Sequence, residues 1–384
     1  MEDHGVGRIQ WHFQKQLSFN LSSNTLSCAE CSEKRQSAKL ECRVFETLSD
    51  TDVPSGTANL YERASDSDAR KNVDKRSKFV MVALFSALVV AFESVSIEGA
   101  LNIADIDLFL VSSVPSIIGG LILMGIYPKR TVAFTRNLGR RGWLTMLALC
   151  VFAAVGVILW FDAVSRIGAS KEALLGGGSS EVLFVVILSA AFLSERLTRL
   201  EGIGSVLVVV GVFVVLVNIE SVGLTIGAGE VEAIVSSLML GSSVVMATSL
   251  LKTHDLTPLS GVELLLSGIL VVVIGAAAGM IVLPEPSAWM ILILLGLFPA
   301  VGLLTYNAPL PKIGASLTSV LFALNGIMTV GVQLLVLSVV PDADIMLPKN
   351  VLLAVLGGAI AFAGVYLLNK RVERQKAKLG PRLT

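Results

Sequence analysis

Charged side chains are scarce in this chain. They make up 16% of its 384 residues, against about a quarter in a soluble domain. They also crowd one end, with 12 acidic and 11 basic residues in Met1–Ser77. Dense basic stretches with interleaved aromatics are missing, which argues against a nucleic-acid surface. No Walker A sequence occurs, so ATP does not drive this chain through such a site. The three histidines, His4, His12 and His254, supply no ligand pair inside an apolar run. The four cysteines, Cys28, Cys31, Cys42 and Cys150, imply no disulfide framework. Cys28-Ala-Glu-Cys31 with Cys42 and His12 has zinc-ligand chemistry, but no second CxxC or HxxxH follows. A polar tail with incidental thiols is the better reading. The first 77 residues also lack the apolar core of a cleavable signal peptide. Neither a metal nor a cofactor is expected.

Apolar length is what the chain has in excess. Hydrophobic residues make up 54% of it, and the mean hydropathy is +0.77. Ten apolar runs follow the polar head: about Phe79–Ile97, Ile106–Tyr127, Gly142–Phe161, Ser170–Leu193, Gly202–Ile219, Ala233–Leu251, Leu259–Leu283, Ala288–Pro309, Ala315–Val339 and Val351–Asn369. Most have the length, roughly 17–25 residues, that crosses a bilayer as helix. A β-barrel would instead show short alternating segments. Fifteen lysines and arginines lie in the loops and tail on one side, among them Lys129, Arg130, Arg196, Arg199 and Lys370. Three lie on the other, Arg166, Lys171 and Lys349. The positive-inside rule therefore puts both termini in the cytoplasm.

The chain also repeats itself. Phe161-Asp-Ala-Val-Ser-Arg-Ile-Gly-Ala-Ser170 recurs as Tyr306-Asn-Ala-Pro-Leu-Pro-Lys-Ile-Gly-Ala-Ser316, and Gly211-Val-Phe213 as Gly364-Val-Tyr366. Two copies of five helices each must run in opposite senses, since five is odd. Inverted repeats hold substrate near the bilayer midplane between the copies in many secondary transporters. The expected architecture is an all-α integral membrane protein of ten transmembrane helices in two inverted five-helix repeats, 78–219 and 231–369. A polar, mostly disordered cytoplasmic segment, 1–77, precedes them, and a basic cytoplasmic tail, 370–384, follows.

The order aromatic-x-Ala-x-x-basic-IGAS, apolar helix, Ser194-Glu-Arg-Leu-Thr198, then Ile203-Gly204 and Gly211-Val212 resembles the drug/metabolite transporter superfamily, specifically its EamA-type domain present twice. That resemblance implies ten helices, inverted repeats, an alternating-access cycle and export or exchange of small metabolites. Such domains often carry proline in the middle of the fourth and ninth helices. Here Gly176-Gly-Gly-Ser-Ser180 and Asn325-Gly326 stand there instead.

Glu181 is the sharpest site candidate. A carboxylate within a membrane-length run is costly and marks function by default. The three glycines before it each weaken helix by about 1 kcal/mol relative to alanine, and irregular backbone at that depth is tolerated beside a cavity. Glu181 with Ser179, Ser180, Asn325 and Glu93 forms the expected substrate or coupling-ion set. A packing role, with glycines serving close helix approach, is the alternative. Ser113, Ser116, Trp160, Tyr306 and Glu263 are further cavity or gate candidates. For Trp160 and Tyr306 an interfacial anchor is the simpler reading, for Glu263 a headgroup-zone position, and for Lys171 and Glu172 an interfacial one. The expected function is secondary active transport of a small metabolite in the plasma membrane, by efflux or exchange and coupled to protons, without enzymatic chemistry. Its partners are the small solute and the lipid bilayer, and a homodimer is left open. A nucleotide-sugar or phosphorylated-sugar exchanger is the alternative within transport, and a membrane scaffold or sensor the one outside it.

Overall fold

The computed structural model describes residues 55–379, except 103, 105, 194–202, 205, 208, 209, 212, 213, 215, 216, 219–222, 225, 342, 344, 348 and 349. Side chains are described from Lys78 onward. The cysteines and histidines before Ser55, the Ser194–Glu201 elbow and half of the run Gly202–Ile219 lie outside the described residues. Two compact units divide after Lys71. Of the first, Ser55–Lys71 is described, and it is helical. The sequence pattern leads one to expect disorder there, and from Ser55 onward the backbone is helical.

The second unit is built of helices. Its first, α1 (Ser55–Asn102), begins in the stretch just described. Then come α2 (Leu108–Ile126), α3 (Pro128–Asn137), α4 (Arg140–Ile167), α5 (Ala169–Leu175), α6 (Glu181–Phe192), α7 (Ala228–Leu251) and α8 (Leu256–Ala278). They are followed by α9 (Pro286–Leu295), α10 (Leu297–Asn307), α11 (Leu310–Ile313), α12 (Ala315–Phe322), α13 (Asn325–Val339) and α14 (Val351–Leu379). Among the described residues, seven helical stretches are long and apolar enough to cross a membrane: Lys78–Asn102, Leu108–Ile126, Arg140–Ile167, Ala228–Leu251, Leu256–Ala278, Pro286–Ile313 and Ala315–Val339. Two shorter apolar helices are Glu181–Phe192 and Val351–Gly364. Large apolar side chains such as Leu352, Phe192 and Leu283 face outward, as lipid-facing side chains do. The chain is a multi-pass integral membrane protein.

Some boundaries move. The third run continues as helix past Phe161 to Ile167, and the eighth past Pro309 to Ile313. Val217–Asn218, expected at the end of the fifth helix, instead pair with Gly223–Leu224 as a short antiparallel ladder. At the start of α2, Asp107 Oδ1 accepts from the backbone N–H of Phe109 (2.9 Å) and Leu110 (3.1 Å), capping the helix.

Packing follows the internal repeat. α7 lies along α4, α8 along α2, α13 against α5, and α12 against α6. The α2–α8 crossing is two-fold in its details. A Cβ on Gly120 would meet Leu265 N at 2.6 Å and Gly261 O at 2.9 Å, and one on Gly268 would meet Ile117 N and Ser113 O, both at 3.0 Å. Small residues let the two backbones touch. One hydrogen bond is likewise made twice. Ser86 Oγ in α1 donates to Gly302 O (3.0 Å), and Ser236 Oγ in α7 donates to Gly156 O (2.9 Å). Each joins the first helix of one repeat to the third span of the other. The duplicated Ile-Gly-Ala-Ser is duplicated in conformation too: Gly168 has φ +81 and ψ 153, Gly314 φ +94 and ψ 157. Backbone in that region is essentially restricted to glycine.

Candidate functional site

The fourth span is broken where its glycines fall. α5 ends at Leu175, Gly176–Ser180 form a single π-helical turn, and α6 starts at Glu181. Wide turns of this kind cluster at functional sites. Ser179 Oγ donates to the carbonyls of Leu174 and Leu175, so backbone oxygens near the break are satisfied within the protein. The first glycine also makes room, because a methyl at Gly176 would run into Glu172 Oε1. The ninth span breaks at the matching point, where Ala323 and Leu324 make a turn between α12 and α13. Aligning Ile167-Gly168 on Ile313-Gly314 sets Ser179 opposite Asn325 and Glu181 opposite Ile327. Glu181 therefore has no polar counterpart, and Asn325 corresponds to the serine before it.

Beside these breaks lies a cavity of about 160 Å³. That is well above the roughly 10–15 Å³ needed to hold a single water, and leaves room for several waters or one small organic molecule. Both repeats line it. Glu93 comes from α1, Ser116 from α2, Trp160 and Phe161 from α4, Glu172 from α5, Gly177 from the π turn and Glu181 from α6. Opposite them stand Ser236, Ser237 and Ser243 of α7, Glu263 and Ser267 of α8, Tyr306 of α10, Phe322 of α12 and Asn325 of α13.

Hydrogen bonds distinguish the four carboxylates. Tyr306 Oη donates to Glu181 Oε1 (3.2 Å) and lies 3.1 Å from Ser319 Oγ. Trp160 Nε1 donates to Glu172 Oε2 (2.7 Å). Asn307 Nδ2 donates to Glu263 Oε2 (3.4 Å) and to Ser260 Oγ (3.0 Å). Glu93 makes no hydrogen bond or ion pair among the described residues, although it is 7% exposed. Aromatic rings form part of the wall: Tyr306 and Phe322 pack edge to face with centroids 4.8 Å apart, and Trp160 and Phe161 do so at 4.9 Å. Asn325 Oδ1 accepts from Thr329 Oγ1 (3.1 Å).

Seven of the residues singled out in the sequence thus meet at one cavity: Glu93, Ser116, Trp160, Glu181, Glu263, Tyr306 and Asn325. Ser179 and Ser180 are buried but do not line it, and Ser113 is buried with its hydroxyl unpartnered. Trp160 and Tyr306 line the cavity, and α4 runs about two turns and the α10–α11 stretch about one turn further than the apolar pattern suggested. Glu263 lines the cavity. Glu172, read as interfacial, is 3% exposed and lines it too. The serines of α7 and α8 gave no sequence signal beyond being hydroxyls in apolar runs.

Glu98 is the residue the sequence reading missed altogether. It is fully buried near the end of α1. Its Oε2 accepts from Gln333 Nε2 (2.6 Å) and Ala169 N (3.2 Å), and its Oε1 from Met346 N (2.7 Å). One carboxylate thereby joins α1 to the start of α5, to α13 and to the segment before α14. A carboxylate so close to the helix end reads in sequence as a solvated one.

Comparison with known proteins agrees with this architecture. No curated protein matches the chain. A solved crystal structure, titled only as that of a protein, is similar in fold with a TM-score of 0.57 and 18% identity, covering 78% of this chain and 99% of that one. The profile of one family matches twice, over residues 77–217 and 227–370, and takes in nearly all the spans described above. The chain belongs to the EamA-like transporter family.

Proposed function

We propose that this protein is a secondary transporter that carries a small metabolite by alternating access, with its two repeats rocking about the central cavity. The observation that carries the reading is the hydrogen bond from Tyr306 to Glu181, a carboxylate of one repeat held by a side chain of the other across a cavity that both line. A group placed so can exchange its proton or its cation while the repeats move against each other. Coupling to protons at Glu181 is the favoured form, with both termini cytoplasmic and the plasma membrane as the site of action. Among the described residues the cavity lining contains no lysine or arginine, so nucleotide sugars and phosphorylated sugars are poorly suited to it. A scaffold or sensor would need no such cavity, and it predicts that no solute raises the melting temperature.

The test is a thermal-shift screen over amino acids, polyamines, nucleosides and sugars, followed by flux in proteoliposomes. Glu181→Gln is expected to abolish flux driven by a pH gradient while expression and melting temperature stay within error of the parent. Undiminished gradient-driven flux in that variant would remove Glu181 from the mechanism.

A further inference from the structure

Resting on the transport reading above, we infer that the solute is an organic cation, an amine or ammonium on a compact apolar body, and that Glu93 receives its charged head. The sign of the charge follows from the lining. Among the described residues four glutamates face one cavity, and no lysine, arginine or histidine faces it with them. The cations nearest to Glu172 along the chain are already paired elsewhere, Lys171 with Glu230, and Arg166 with Asp162 and Glu232. Like charges withdrawn from water are costly unless neutralised. The described lining supplies no neutralising charge, and that part falls to protons or a cationic ligand. An anionic solute would add to the repulsion.

The choice of Glu93 follows from the distribution of donors. Glu172, Glu181 and Glu263 each accept a hydrogen bond from a named side chain. Glu93 has no such partner among the described residues, is more than nine-tenths buried, and opens on the cavity. Buried polar groups are nearly always satisfied, and a cavity-facing exception is satisfied by what enters. The aromatic wall suits the rest of the solute. Trp160, Phe161, Tyr306 and Phe322 give it apolar area and ring faces that favour a cation. A cavity of about 160 Å³ admits a single-ring amine and excludes a nucleotide or a lipid.

Three probes of one shape and different charge test this on the purified full-length chain: 2-phenylethylammonium, 2-phenylethanol and 3-phenylpropionate, each by calorimetric titration and thermal shift. The cation is expected to bind at least tenfold more tightly than either other probe. Glu93→Gln is expected to lose at least tenfold of that affinity, and Glu93→Asp to keep part of it. Equal or tighter binding of the alcohol or the carboxylate, or binding of none of the three, overturns the cation assignment, and the parent protein alone suffices for that comparison. Cation binding unaltered in a folded Glu93→Gln protein overturns the role of Glu93. Proteoliposome flux of the bound cation separates the two readings. Tight binding without movement across the bilayer ends the transport proposal and leaves the ligand class standing, whereas movement of an unrelated neutral solute does the reverse.

Discussion

Glu172 and Glu181 belong to the same broken span yet take their hydrogen bonds from different repeats, Trp160 of the first and Tyr306 of the second. The lettered motif sets Phe161 opposite Tyr306, but the matched serine bonds to Gly156 and Gly302 put Trp160 there in the packing. One aromatic position thus serves the α5 carboxylate in one copy and reaches across to the α6 carboxylate in the other. Removing the indole donor should expose how much each bond contributes. Trp160→Phe keeps the ring and leaves Glu172 without its donor, so a loss of about 1–3 kcal/mol is expected, measured as a lower melting temperature. Gly176→Ala should cost more than its helix propensity returns, because the added methyl runs into the Glu172 carboxylate. Gly125→Ala, where a Cβ meets nothing within 4 Å, should instead gain up to about 1 kcal/mol. Equal melting temperatures for the two alanine variants would contradict the crowding at Gly176. Glu181, Glu93 and Asn325 were legible in the sequence because an ionisable or amide group deep in an apolar run stands out. Glu172 was not, because its depth depends on where α4 ends, and hydropathy marks the fall in apolarity after Phe161 rather than the helix terminus at Ile167.

Among the elements, the junction at Glu98 is the most concentrated. A single carboxylate there accepts hydrogen bonds from the start of α5, from α13 and from the segment around Met346. Opening that end of the bundle must part at least some of these contacts. Glu98→Ala is expected to loosen it, read as faster labelling of a Met346→Cys reporter by a membrane-impermeant thiol reagent. Several-fold acceleration is the expected result, and an unchanged labelling rate would show that the junction does not hold the end shut. Sequence could anticipate the breaks in the fourth and ninth spans, since three glycines in a row and an Asn-Gly pair weaken helix. It could not anticipate Glu98, whose partners lie far away along the chain and include two backbone amides that carry no sequence signal.

At the scale of the whole molecule, the inverted repeat was legible because Ile-Gly-Ala-Ser is copied nearly letter for letter. Its physical content was not. The paired serine bonds, Ser86 to Gly302 and Ser236 to Gly156, and the matched glycine contacts of α2 and α8 come from long-range packing that no local pattern encodes. The same holds for the cavity, which takes side chains from α4 and α10 as well as from the spans that carry the conspicuous polar residues. The fifth run illustrates the opposite failing: hydropathy continues through Val217–Asn218, where the backbone turns extended.

The glycines of the duplicated Ile-Gly-Ala-Ser also shape how the gene tolerates change. At φ near +85° with an extended ψ, every side chain is strained, so Gly168 and Gly314 admit no replacement without loss. Gly279, at φ +66 with nothing within 4 Å of its Cβ position, lies where asparagine is also at home. Saturation mutagenesis scored by folded yield is expected to leave Gly279→Asn near the parent and to empty the rows at Gly168 and Gly314. Substitutions accepted at either of those two would mean that the junction bends more freely than its geometry indicates. Such a map would show the ancient duplication as a pair of matching gaps, one in each half of the chain, even where the neighbouring residues have drifted apart.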